Sequence, residues 1–204
     1  MPEYKLTYFQ AKGAAEAARM LFAFNNIPFT DERIAKEDWP ARKPETPFGQ
    51  VPVLTVDGEP LAQSFAIYRY LANEFEMAGT TPWEKAQVDS IADAYRDFSN
   101  EIITYIYTAA GVREGNKEEL FAEVVVPAMQ KHLPNFVRIW KESGSGFFLK
   151  SGITWVDLYI ARHLSSVVET TKDCLKDYPE LTKLVENVHT HPNLVKYISE
   201  RDSP

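Results

Sequence analysis

Tyr4-Lys5-Leu6-Thr7-Tyr8-Phe9, followed by Lys12-Gly13 and a run of helix formers that contains Arg19, governs the reading of this 204-residue chain. Leu6 and Tyr8 alternate with polar neighbours, the period of a strand, and residues 14–24 place Ala18, Leu21, Phe22 and Phe24 at helical spacing. A strand, a glycine turn and a helix start in that order set the Tyr8 phenol beside main-chain donors and the positive end of a helix dipole, where an anion is favoured. A tyrosine late in a strand is ordinarily a packing residue. The turn that follows it gives Tyr8 a second use.

Outward from this stretch, Asn25-Asn26-Ile27-Pro28 ends the helix and residues 29–34 form a second strand. Residues 51–56 and 59–61 flank Asp57-Gly58, the strongest short hairpin signal in the chain, and Ser64 caps a helix over 64–75. The order β-α-β, a loop or short helix, then β-β-α predicts a mixed sheet with one parallel crossover and one antiparallel hairpin. Composition changes at Met77-Ala78-Gly79-Thr80-Thr81-Pro82, and everything beyond it reads as helix. Two long amphipathic stretches, 83–108 and 117–141, are separated by Gly111-Val112-Arg113-Glu114-Gly115. Gly144-Ser145-Gly146 reads as a flexible link. Thr154 and Asp157 form a capping box, with Ile153 and Leu158 at the staple positions, opening a helix that runs to about Thr170. Shorter helices over 179–188 and 192–199 follow. The expected division is an α/β domain over 1–76, a linker over 77–81 and an all-helical domain over 82–204.

Composition narrows the function. With 45% hydrophobic and 25% charged residues the chain is ordinary globular material. The net charge of -7 is shared by both parts, with 8 basic against 11 acidic residues in 1–76 and 14 against 18 beyond. Without a basic lobe to neutralise phosphates, nucleic acid is not an expected partner. No uninterrupted apolar stretch has transmembrane length and the opening Met1-Pro2-Glu3-Tyr4 has no leader pattern, so neither membrane nor secretion is expected and a cytosolic location is. The lone Cys174 permits no internal disulfide and no thiol zinc cluster, and it reads as a loop thiol. His189-Thr190-His191, followed by Pro192 and without acidic neighbours, reads as a turn between helices rather than a metal site.

Several polar groups accompany Tyr8. Trp39 and Lys43 offer an indole N–H and an ammonium from a loop. Pro52 holds Val51 extended, either merely opening an edge strand or leaving the Val51 main chain free to pair with an extended ligand. Gln63-Ser64 is a helix start preceded by an amide, able both to cap the helix and to receive a carboxylate. Together they read as a pocket for a short anionic peptide.

Tyr8-Phe9, Trp39 with Lys43, Gln50-Val51-Pro52, Gln63-Ser64 and the box at Thr154 and Asp157 resemble the cytosolic glutathione transferases over the whole chain. The pattern is most similar to the sigma class, with its nematode and other invertebrate members and haematopoietic prostaglandin D synthase. The resemblance implies a thioredoxin-like N-terminal domain, an all-α C-terminal domain, a homodimer, and glutathione as cosubstrate without a metal. It implies that Tyr8 holds the glutathione sulfur as thiolate, that Trp39 and Lys43 bind the glycyl carboxylate, and that Val51, next to Pro52, binds the cysteinyl backbone. Gln50, Gln63 and Ser64 would hold the γ-glutamyl end, with Asp97 reaching across from the partner subunit. Hydrophobic electrophiles would lie against Phe9, Tyr105 and the chain end near Pro204, and Phe48 is a candidate apolar key into a partner. The implied activity is conjugation of the thiolate to such electrophiles. Its alternatives are a glutathione-dependent isomerase or peroxidase acting on prostaglandin-type substrates, a carrier of haem or other apolar ligands, and a crystallin-like relative. One position departs from the pattern: Ala14 stands where the family often has an arginine beside the tyrosine hydroxyl, so compensation is expected from Lys12 or Arg19.

Overall fold

The computed structural model describes residues 1–201, which form two compact units, one made of Met1–Ala78 with the described residues from Thr190 on, the other of Gly79–His189. Residues 190–201 thus group with the sheet, although sequence assigns them to the helical region.

The first unit is a four-stranded mixed sheet in the order β2-β1-β3-β4, built from β1 (Tyr4–Phe9), β2 (Thr30–Ile34), β3 (Val53–Val56) and β4 (Glu59–Ala62). β1 runs parallel to β2 and antiparallel to β3, and β3 pairs antiparallel with β4, the thioredoxin-like arrangement expected. Asp57 and Gly58 close the hairpin with φ of 50° and 92°, the left-handed pair that a two-residue turn needs to match strand twist. Helix α1 (Glu16–Phe24) makes the crossover from β1 to β2, and α3 (Ser64–Glu74) packs beside it. Side chains alternate along β1. Tyr4 and Leu6 therefore meet the aromatic core on the helix side, where Tyr4 lies 5.3 Å from Phe22 and 6.0 Å from Phe75, and Tyr8 continues that row. Lys5, Thr7 and Phe9 face the opposite side, toward α2 (Trp39–Arg42). Arg42 donates to the Glu32 carboxylate at 3.1 Å and Thr7 donates to the same group at 2.6 Å, so the segment carrying Trp39 and Lys43 is tied to β1 and β2. The Thr7 hydroxyl foremost, with Arg42, keeps the Glu32 carboxyl below its ordinary acidity range.

A buried charge cluster ties the chain's last described helix, α10 (Val195–Arg201), to α1. Glu16, 2% exposed, accepts from the Tyr197 hydroxyl at 2.9 Å and Arg201 at 3.0 Å through one oxygen, and from Arg19 at 3.3 Å through the other. Burial, then the Glu16 charge, drives the Tyr197 phenol far above its usual value, so it stays a donor.

In the second unit, α4 (Pro82–Glu101) and α5 (Ile103–Ala109) replace the single helix expected over 83–108. The break falls at the buried Ile102, where Ile102-Ile103-Thr104 is β-branched and propagates a helix poorly. The helix expected over 117–141 also divides, into α6 (Lys117–Leu120), a π turn over Phe121–Val125 and α7 (Val126–Ser143). Pro127 lacks the N–H that an α ladder requires there, and the wider turn absorbs the mismatch. Gly144-Ser145-Gly146, expected to be a flexible link, is a pinned turn: Ser145 donates to the Leu149 carbonyl at 2.6 Å, and Trp140 and Asn187 both donate to the Gly146 carbonyl at 3.0 Å. Helices α8 (Trp155–Thr170) and α9 (Pro179–His189) complete the unit. The capping box opens α8 where sequence placed it. The Asp157 carboxylate accepts the Thr154 N–H at 2.7 Å, the Thr154 hydroxyl at 2.9 Å and the Phe148 N–H at 2.9 Å.

Burial raises the Asp157 carboxyl from 3.8 to about 6, against the pull of those three donors. A folded-state value above the unfolded one means that the stability gained from its protonation is complete at low pH and is lost as pH rises through about 6. The stability difference between the wild-type protein and Asp157→Asn should therefore shrink between about pH 4 and pH 7. Denaturant midpoints across that range check this, and a constant gap contradicts it.

Candidate active site

Tyr8 ends the helix-facing row of β1, half-buried, where the chain turns through Gly13–Ala15, a single 3-10 turn. Its hydroxyl oxygen accepts the Ala14 N–H at 3.1 Å. Accepting through a lone pair leaves the phenolic proton available to donate, and an accepted bond strengthens that donation. The approach is possible only because residue 13 is glycine. Gly13 has φ of 41°, and a Cβ there would sit 2.3 Å from the Tyr8 hydroxyl.

Arg19, 1% exposed, braces the turn from behind. It donates to the carbonyls of Ala11 at 2.8 Å and Lys12 at 3.3 Å, and its Nε is bonded to both oxygens of Asp31 at 3.1 Å. The guanidinium carbon lies 5.9 Å from the centre of the Tyr8 ring. Of the two compensations expected for Ala14, Arg19 is thus a fixed cation against the ring, and Lys12 contributes its carbonyl to holding that cation. The hydrogen bond to the Tyr8 hydroxyl itself comes from the Ala14 main chain, one of the main-chain donors that the strand-turn-helix order places beside the phenol.

The other residues of the N-terminal set form the rim of the same unit. Trp39 is half-buried with its ring edge-on to Phe9 at 5.3 Å, and Phe9 lies 5.5 Å from Tyr8. Lys43 is exposed, and its stem passes Gly49 so closely that a Cβ there would lie 3.3 Å from the Lys43 Cε. The Val51-Pro52 peptide is cis. Val51 precedes the β3 ladder and is half-exposed, and among the described residues its main chain has no hydrogen-bond partner. The side-chain amides of Gln50 and Gln63 face each other at 3.5 Å.

Ser64 does not cap α3. It is the first helical residue, Gln63 occupies the capping position with φ of 74°, and the Gln63 side chain makes no capping hydrogen bond. The left-handed Gln63 displaces the boundary by one residue. The set fits a peptide with two carboxylates: an ammonium and indole on one flank, a main chain without a partner among the described residues in the middle, and two amides with a helix start on the other.

Among the helical-unit residues, Asp97 is exposed on α4. Tyr105 is fully buried on α5 with its hydroxyl bonded to Thr170 at 2.9 Å and to Thr171, so it packs its own unit instead of presenting a wall to a ligand. Pro204 lies outside the described residues. Phe48 is 67% exposed. Cys174 lines a cavity of about 370 Å³ with Phe121, Met129 and Tyr178, its thiol pushed up by burial and so poorly nucleophilic. Among the described residues no group of three or more His, Cys, Asp or Glu is placed to hold a metal, and no helix is long and apolar enough to cross a membrane.

Residues 4–73 match the glutathione S-transferase N-terminal domain and residues 96–201 its C-terminal domain. The chain belongs to the glutathione S-transferase family. It is 48% identical over 201 residues to glutathione S-transferase 1 of Ascaris suum, covering 98% of each chain. Among solved structures it is similar to a glutathione S-transferase of the hookworm Necator americanus, described as monomeric, with TM-score 0.94 and 42% identity over 99% of this chain and 98% of that one. It is also similar to a prostaglandin synthase D of Nilaparvata lugens, with TM-score 0.88 and 32% identity over the whole of both chains.

Gly13→Ala should force the Tyr8 hydroxyl out of place. The expected result is a roughly ten- to hundredfold fall in kcat for glutathione conjugation, with the helical unit's unfolding midpoint unchanged. Undiminished kcat would show that the close approach of the turn to Tyr8 is unnecessary.

Proposed function

We propose that the protein conjugates glutathione to hydrophobic electrophiles and that Tyr8 keeps the sulfur ionised for the attack. The observation that carries this is the Tyr8 hydroxyl, held by the Ala14 N–H with its own proton unspent. A free thiol near pKa ~8.5 is only a few per cent thiolate at neutral pH, so a fall of roughly two units, about 2.7 kcal/mol, is needed. One hydrogen bond to an anion supplies ~1.5–3 kcal/mol and a helix start ~0.3–1 kcal/mol more. The thiol proton leaves to solvent on binding. The sulfur lone pair then forms the bond to the electrophilic carbon, and the leaving group departs with the electron pair of the bond that breaks.

In this reading Trp39 and Lys43 take the glycyl carboxylate, Val51 pairs with the cysteinyl main chain, and Gln50, Gln63 and Ser64 with the first turn of α3 take the γ-glutamyl end. The Val51 main chain, without a hydrogen-bond partner among the described residues, and the facing amides of Gln50 and Gln63 support these assignments. Asp97 of the partner subunit completes the γ-glutamyl site, which makes a homodimer part of the proposal, and the helical region supplies the electrophile site and dimer contacts. The sigma type and a cytosolic location belong to the same reading. A second activity, glutathione-dependent isomerisation of an endoperoxide, is favoured by the 32% identity to a prostaglandin synthase D; there the thiolate would bond to one peroxide oxygen as the O–O bond breaks and the other oxygen takes a proton, and loss of the proton on the carbon bearing the sulfur-bound oxygen would form a carbonyl and release the thiolate.

The test is Tyr8→Phe assayed with glutathione and a chlorinated nitroaromatic. Loss of one anionic hydrogen bond should lower turnover roughly ten- to hundredfold, with glutathione affinity nearly unchanged. Full turnover in that variant removes Tyr8 from the mechanism.

A further inference from the structure

Ala14 sits at the centre of the turn that fixes Tyr8, yet its methyl side chain has no polar group with which to hold the turn. The anchoring comes from α3. Tyr68 follows Ser64 by four residues, one helical turn along the same face, and is 2% exposed. Its hydroxyl donates to the Ala14 carbonyl oxygen, in a contact that bridges 54 residues of sequence. Ala14 is therefore gripped at both main-chain groups: its carbonyl accepts from Tyr68, and its N–H donates to the Tyr8 hydroxyl at 3.1 Å. A buried hydroxyl must have an acceptor, so the Tyr68 contact is a strong constraint on where Ala14 lies. A single 3-10 turn has little internal bonding with which to resist displacement.

We propose that Tyr68 is a positioning residue for Tyr8, acting through the Ala14 main chain. The proposal rests on the reading of Tyr8 as the thiolate-holding group. Tyr68 does not touch the sulfur. It sets the direction of the Ala14 N–H, and through it the orientation and donor strength of the Tyr8 phenol. Because Tyr68 shares α3 with Ser64, the helix that receives the γ-glutamyl end of glutathione also fixes the group that faces its sulfur.

The experiment is the pH profile of kcat/KM for wild-type, Tyr68→Phe, Tyr8→Phe and the double variant. Tyr68→Phe should lower kcat/KM about three- to tenfold at mildly acidic pH and move the acidic limb up by roughly half to one unit, the effect of one weakened neutral hydrogen bond. The gap should close at alkaline pH, where the thiolate forms unaided, and KM for glutathione should stay within about twofold. In the Tyr8→Phe background the second substitution should change nothing, because its route of action is gone. An acidic limb unmoved in Tyr68→Phe but moved in Tyr8→Phe overturns the inference alone, as does an equal loss in both backgrounds. An acidic limb unmoved in Tyr8→Phe overturns the underlying assignment of Tyr8. Should Tyr68→Phe fail to fold, a fluorinated tyrosine at position 68, a stronger donor, reads the same contact. The limb should then move down, and an unmoved limb overturns the inference.

Discussion

The hydrogen bond from the Ala14 N–H to the Tyr8 hydroxyl is the constraint around which the first unit is arranged. It requires a backbone turn to come within contact distance of a phenol at the end of β1, and each surrounding feature serves that approach. Gly13 removes the Cβ that would collide, Arg19 holds the carbonyls of the preceding residues, and Tyr68 holds the carbonyl of Ala14 itself. Any one contact is worth on the order of 1 kcal/mol, too little to fix a flexible loop. Together they leave the turn few alternatives.

The charges behind the turn carry a cost as well as a constraint. Arg19 is 1% exposed, with Asp31 and Glu16 on either side, and Glu16 also compensates Arg201. Burial of so many charges yields little net stability compared with apolar packing, but removal of one partner strands the others. The cluster is therefore better understood as a device that fixes geometry. It places a cation 5.9 Å from the Tyr8 ring centre and docks α10 onto α1 through the same carboxylate. A single buried network thus bridges the last described helix and the turn that cradles the phenol.

Much of this was legible in the chain because the signals were local. Asp57-Gly58 announces its hairpin through left-handed backbone preference, Thr154 and Asp157 announce α8 through reciprocal capping, and the glycine turn after β1 marks Tyr8. What sequence misplaced depends on competition between local and distant terms. Ser64 is a favoured capping residue, yet the left-handed Gln63 takes that position. Amphipathic periodicity runs unbroken through Ile102 and Pro127, although β-branching and a missing N–H divide both helices. Gly144-Ser145-Gly146 has a linker's composition, and side chains up to 41 residues away pin it. Tyr105 and Tyr68 are both aromatic residues at helical spacing, which says core, and both are buried. That the hydroxyl of Tyr68 lands on the turn beside Tyr8 is visible only when positions 14 and 68 are brought together.

In the proposed mechanism this turn keeps a bound thiol ionised near neutral pH. The most direct measurement is ultraviolet difference spectroscopy of the saturated glutathione complex across pH. A thiolate band that titrates roughly two units below the free thiol's ~8.5 is the predicted result. A band that titrates with free glutathione would contradict it.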